Sequence, residues 1–193
     1  MKTVEMKRAL VATVAGLILA LAWVPASSQA PADEPGYVDF SDLSSLLGQP
    51  PEVNINFGSA MLGVFAAGLR ESDADLADLL GALRGLRVMV FENVTGPAAR
   101  DYAEATALKL GAAGWEAALT VRETSTNVDF YLRSVNDEIR GLAMMVTETD
   151  GTAVFINVVG RLDPSALGKL IGGTGLNLEA LGALAEQMGV TGQ

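Results

Sequence analysis

Two consecutive segments alternate apolar and polar residues with a period of two, a pattern that helices cannot satisfy. Trp115, Ala117, Leu119 and Val121 alternate with Glu116, Ala118, Thr120 and Arg122, and Val128, Phe130 and Leu132 alternate with Asp129, Tyr131 and Arg133. Period two places each set on one side of a pleated strand. A turn near Thr124 to Thr126 joins these two, and Asn136-Asp137 turns the chain into Ile139 to Thr147. Asp150-Gly151 has the chemistry of a two-residue type I′ loop and leads into Thr152 to Val159. The expectation is a four-stranded antiparallel meander, half-exposed in its first two strands and buried on both sides in its last two.

Upstream, Val53-Asn54-Ile55-Asn56-Phe57 reads as a first strand, and Gly58-Ser59 opens a helix over Ala60 to Leu69. Ser72 and Asp73 cap a second helix, Ala74 to Leu83. Leu86 to Phe91 is apolar on both sides apart from Arg87, as an internal strand would be. Gly96-Pro97 starts a helix that runs from Ala98 to Ala113 and stops at Gly114. Asp163-Pro164 restarts helix, Gly172 to Gly175 is a joint, and Leu178 to Met188 forms a last amphipathic helix. The order predicts one α+β domain: a mixed sheet containing the meander, with helices packed mainly on one face.

The N-terminus predicts export. Lys2, Lys7 and Arg8 precede an uncharged apolar stretch from Ala9 to Trp23, and Ser28-Gln29-Ala30 supplies small residues for cleavage after Ala30. The apolar core is shorter than a membrane span needs, so a cleaved signal is expected in preference to a retained anchor. The organisation is then a signal peptide over 1–30, an extended leader over 31–52, the domain over 53–171, and the joint with its helix over 172–193. Within the leader, Ser41 to Leu47 can form one helical turn, and Tyr37, Val38 and Phe40 can dock. Loss of residues 1–30 removes Lys2, Lys7, Arg8 and Glu5, which takes the net charge from −10 to −12. That acidity argues against nucleic acid and anionic lipid as partners. No later segment is long and apolar enough to span a bilayer in the mature chain.

The sequence contains no His and no Cys. Histidine and thiolate catalysis, His-based zinc sites and lipoprotein anchoring are thereby excluded. No cofactor or metal is expected. The acidic run Glu71-Ser72-Asp73-Ala74-Asp75 lacks the ligand spacing of a calcium loop and reads as a helix start. Gly172-Gly173-Thr174-Gly175 lacks the Lys and the preceding strand of a phosphate loop. Asn93-Val94-Thr95 matches a glycosylation sequon but sits where a turn already needs such residues. Arg122, Tyr131 and Arg133 fall on the polar side of the first two meander strands, where Arg122 and Tyr131 or Arg133 could be cross-strand neighbours. They make a candidate partner-binding face, Arg and Tyr being frequent hot-spot residues. The plain alternative is that Glu116, Glu123 and Asp129 pair with these arginines. The strand through Leu142, Met144 and Val146 is apolar on both sides, so the leader, the C-terminal helix or another molecule, a homodimer included, should cover it.

Gly114-Trp115-Glu116, Gly141-Leu142-Ala143-Met144-Met145-Val146 and Val154-Phe155-Ile156-Asn157-Val158-Val159-Gly160 resemble the bacterial exported family catalogued as domain of unknown function 4252. Val88-Met89-Val90-Phe91-Glu92 and Pro35-Gly36-Tyr37-Val38-Asp39-Phe40 fit it too, so the resemblance spans roughly residues 35–172. It implies a secreted or lipid-anchored protein, often encoded beside extracytoplasmic-function sigma factors and their anti-sigma partners, and assigns no catalytic residues. The expected function is a non-enzymatic accessory or regulatory binding domain of the cell envelope, with another envelope protein as partner. A carrier of a small hydrophobic or lipidic ligand is the alternative. A carboxylate-dependent hydrolase, with Glu92 and Glu148 as its pair, is a remote one.

Overall fold

The computed structural model describes residues 32–164. The predicted signal and the helices expected beyond Pro164 lie outside these residues. A short helix α1 (Leu43–Leu47) follows the leader, and then come β1 (Val53–Gly58), α2 (Ser59–Leu69), α3 (Ala74–Ala82) and β2 (Leu83–Phe91). Helix α4 (Ala98–Ala112) precedes β3 (Glu116–Arg122), β4 (Thr126–Val135), β5 (Glu138–Glu148) and β6 (Ala153–Leu162). Asp73 caps α3 by accepting a hydrogen bond from the Leu76 N–H at 3.0 Å, so the acidic run does serve as a helix start.

The six strands form one sheet in the order β1-β2-β6-β5-β4-β3. The meander is present, and its last strand inserts beside β2. Every neighbouring pair is antiparallel, so the expected mixed sheet is corrected. Two helices link β1 to β2, a connection long enough to allow a parallel crossover. Here α2 and α3 fold against each other and return the chain antiparallel beside β1.

The turns also differ from expectation. Asn136 and Asp137 both have positive φ, 52° and 63°, which is the signature of a type I′ turn. Asp150 does not share it. Glu148 and Thr152 bracket a three-residue loop with Gly151 at φ 97°, a type I turn closed by a left-handed glycine. In β3 an irregularity between Ala117 and Leu119 breaks the alternation. Ala117 opposes Tyr131, while Leu119 and Val121 turn to the other side of the sheet.

The helices divide between the two faces, contrary to the expectation of one. On one face, Ala99, Ala103 and Leu110 of α4 pack with Met89, Phe91, Ala143, Met145 and Phe155. On the other, Leu62 of α2 and partly buried Leu79 and Leu80 of α3 pack with Phe130, Leu142 and Leu162. That second face is aliphatic or aromatic through Ile55, Val88, Val154 and Ile156 as well.

The leader fills the remainder of the first face. Phe40 and Leu43 are fully buried, and Val38 nearly so. Phe40 meets Phe155 at 5.6 Å between ring centroids, and Phe155 in turn meets Tyr102 and Phe91 edge-on. Asn157, 2 % exposed, clamps the leader to the sheet. Its Oδ1 accepts from Val38 N–H at 3.0 Å, and its Nδ2 donates to the carbonyls of Gly36 (2.9 Å) and Leu142 (3.0 Å). Gly36 and Gly141 touch backbone to backbone, and a Cβ on Gly36 would stand 2.0 Å from the Arg140 carbonyl oxygen.

Two predictions follow from this seam. Phe40→Ala should cost about 3–5 kcal/mol in urea unfolding, the usual loss for emptying an aromatic site in a core. The second concerns Tyr102, whose hydroxyl donates to Asp42 Oδ1 at 3.0 Å. Burial first, and then that bond, raise the hydroxyl above its ordinary 10.0. The folded state therefore favours the neutral phenol. Its contribution is complete below pH 10 and is lost as pH rises beyond the ordinary value. Tyr102→Phe should lower stability by about 1 kcal/mol at neutral pH, and its Tm should fall less steeply than wild type above pH 10.

Candidate functional site: a polar groove at one end of the sheet

Antiparallel register aligns side chains in rows across the face that α4 covers. The outermost row runs Arg122, Asn127, Thr147, Ala153, Phe91. The next runs Thr120, Asp129, Met145, Phe155, Met89. The outer row is polar over β3 to β5 and becomes apolar at β6, where the core begins. Above it stands the start of α4, and beside it are the β3–β4 and β5–β6 hairpins, joined by Thr149 N–H donating to the Ser125 carbonyl at 2.9 Å.

Between these elements lies a groove of about 350 Å³, bounded by Pro97, Ala99 and Arg100 on the helix side and Thr147, Thr149 and Thr152 on the hairpin side. Arg100, on the helix side, is held by Asn127 of β4. With the Asn127 amide oxygen turned toward the guanidinium, Nη2 and Nε of Arg100 each donate to it at 3.0 Å; that orientation follows from the hydrogen-bond network. Thr147 is 6 % exposed and still lines the groove. Glu148 also borders the groove; it pairs with Thr126 at the end of β5, and strand alternation turns its side chain toward the opposite face.

Arg122, Tyr131 and Arg133 do share one face of the sheet, but each has a separate local partner there. Arg122 opposes Asn127, and Tyr131 opposes Ala117, so Arg122 is not a cross-strand neighbour of Tyr131 or Arg133. Arg122 Nη2 binds Asp129 Oδ1 at 2.7 Å, with the aspartate side chain 5 % exposed. This is the pairing that the plain alternative anticipated. Tyr131 packs against the core beside α4. Its hydroxyl is raised by burial and by the Asp129 charge, with Arg122 opposing. Arg133 Nη1 donates to the carbonyl of Gly114, at the end of α4 where cations are favoured by the helix dipole. Gly114 has φ 80°, and a Cβ there would stand 2.5 Å from Arg133 Nη1. Arg133 and Gly114 are thus matched as a helix stop.

Sequence reading did not single out Arg100, Asn127, Thr147 or Thr149. Arg100 looks like one more exposed helix charge, and Thr147 like the frayed end of a strand. Only the register that places Asn127 and Thr147 side by side, with α4 above, brings them together.

Glu92 follows the end of β2, and Glu148 ends β5, with β6 between those strands. Two strand spacings, roughly 10 Å, separate these positions, and both residues are exposed. Among the described residues, no group of His, Cys, Asp or Glu could hold a metal ion, and no helix is long and apolar enough to cross a membrane.

The fold and the groove define an α+β domain with an all-antiparallel sheet, helices on both faces and one polar end. The chain belongs to the family described as domain of unknown function (DUF4252), whose model matches residues 49–170. No curated protein and no solved structure matches the chain.

The Arg122–Asp129 pair gives a stability prediction independent of any binding role. Arg122→Gln leaves a buried carboxylate without its cation and should cost about 1–3 kcal/mol in urea unfolding. Adding Asp129→Asn should recover most of that loss, because the desolvated charge goes with it.

Proposed function

We propose that the protein is an exported, non-enzymatic accessory or regulatory binding domain of the bacterial cell envelope, working in the setting of envelope-stress signalling. The observation that carries the binding reading is the groove between α4 and the two hairpins. It is bordered by Arg100, Glu148 and three threonines, with Asn127 holding the arginine in place, groups that hold a ligand through charge and hydrogen bonds. The whole sequence lacks His and Cys, the usual proton-transfer and thiol groups of enzymes. Export rests on the basic, then apolar, then small-residue order of residues 1–30. The partner in this reading is another envelope protein. A carrier of a hydrophobic ligand is the second reading, favoured by the aliphatic face through Ile55, Val88, Val154 and Ile156.

The test is made in cells that express the full chain. The protein should fractionate with the envelope, with a mature N-terminus at Pro31. A photo-crosslinker at exposed Thr149 should capture one recurrent envelope protein that a crosslinker at Arg70, near the α2–α3 connection, does not. Native mass spectra of the purified protein should show the polypeptide mass alone. A persistent added mass would favour the carrier, and cytoplasmic protein with its N-terminus intact would overturn the proposal.

A further inference from the structure

Resting on the reading of this groove as a binding site, we propose that it is a carboxylate subsite, with Arg100 as its cation and Thr147 as its inner hydrogen-bond donor. Three observations meet at one place. The first is the state of Arg100. Its Nη2 and Nε are held by Asn127, a neutral amide that fixes the plane of the guanidinium without cancelling its charge. An arginine has five N–H donors, so three remain for a ligand. Among the described residues, the ion pairs are made by Arg70, Arg122, Arg140 and Arg161, and Arg100 makes none.

The second observation is Thr147. It is 94 % buried, being 6 % exposed, and it lines the groove. Its hydroxyl takes part in no hydrogen bond among the described residues. Among the described residues, the one buried side-chain polar atom without a partner is Arg87 Nε. The Thr147 hydroxyl is thus the part of this buried side chain that opens to the groove, and it is free to donate there. The third is the start of α4, a fifteen-residue helix whose N-cap, Pro97, offers no side-chain acceptor. The N–H groups of its first turn and the positive end of its dipole stand at the groove wall formed by Pro97 and Ala99.

Charge and size select the ligand. The site has one guanidinium, planar and forked, which matches a carboxylate bidentately; the exposed Glu148 also borders the groove and disfavours a ligand of higher negative charge. The chain is −10 overall, which disfavours polyanions and leaves a monoanion as the better match. The volume is at the small end of ligand sites, roughly 300–1,000 Å³, enough for a short carboxylic acid or one acidic side chain. The carboxylate could come from a free small acid or from an Asp or Glu of a partner protein.

Amide NMR on the protein purified from the full chain separates these sources. The probes are sodium acetate and two short peptides differing by one Asp-to-Asn exchange, at an ionic strength fixed with sodium chloride. Acetate should shift the amides of Ala98, Ala99, Thr147 and Thr149 saturably. Arg100→Gln should weaken that binding by about tenfold or more, and Thr147→Val, nearly isosteric, should weaken it severalfold with the remaining spectrum unchanged. An Asp peptide binding at least about tenfold more tightly than acetate, with its Asn counterpart silent, assigns the carboxylate to a partner protein. Equal affinities assign it to a free acid. Shifts that chloride reproduces, that do not saturate, or that survive both substitutions would overturn the proposal. If acetate is silent but the Thr149 crosslink persists in Arg100→Gln, the carboxylate assignment fails and the binding reading stands. Loss of both signals removes both.

Discussion

The Asn157 clamp is the interaction on which the arrangement of the whole α4 face depends. Asn157 sits in β6, a central strand, where a polar side chain is expensive to bury unless its hydrogen bonds are met. Its oxygen and nitrogen meet Val38 and Gly36 of the leader, and its second donor meets Leu142. The bonds fix the leader at one place, and two residues after Val38 the chain delivers Phe40 onto Phe155. Tyr102 of α4 packs on the same ring and bonds to Asp42 just beyond it. The height of α4 above the sheet is therefore set through the leader. Because the groove is the space between α4 and the outer row of the sheet, its width is set there too.

This dependence crosses the boundary that sequence similarity draws. The family match begins at residue 49, yet Phe40 and Leu43 are among the most buried of the described residues and Val38 is buried too. Short extended segments with few apolar positions carry little pattern for a family model to score. The energetic weight of such a segment comes from where it docks, which its own period does not encode.

The strands were legible because alternation is a strong local signal. Val53 to Phe57 and the meander fall within a few residues of their expected ends, and so do the expected helices that lie wholly within residues 32–164. Three features were not legible, each for a non-local reason. The antiparallel β1–β2 pairing depends on α2 and α3 folding against each other. The distribution of helices over both faces depends on which apolar stripe meets which side of a sheet that is apolar on both. The partners of Arg122, Tyr131 and Arg133 depend on register and on an irregularity at Ala118, since one extra residue re-aims everything after it. Alternation did place these three on one face. It could not show that α4 ends over Arg133 or that Tyr131 would join the core.

Arg100 and Arg122 make the same point in charge. Both stand beside Asn127, one from the helix above and one from the strand alongside. A carboxylate in place of Asn127 would neutralise Arg100 as Asp129 in the next row neutralises Arg122, and the two rows would then form one closed structural network. The chain instead places an amide at 127 and a hydroxyl at 147. An amide accepts hydrogen bonds without supplying charge, so Arg100 is oriented and remains cationic. In a protein with 23 acidic residues against 13 basic ones, a cation held in place by a neutral neighbour is the opposite of what charge composition alone would produce. Orientation and neutralisation are separate effects, and along this row the sheet applies both to Arg122 and only the first to Arg100.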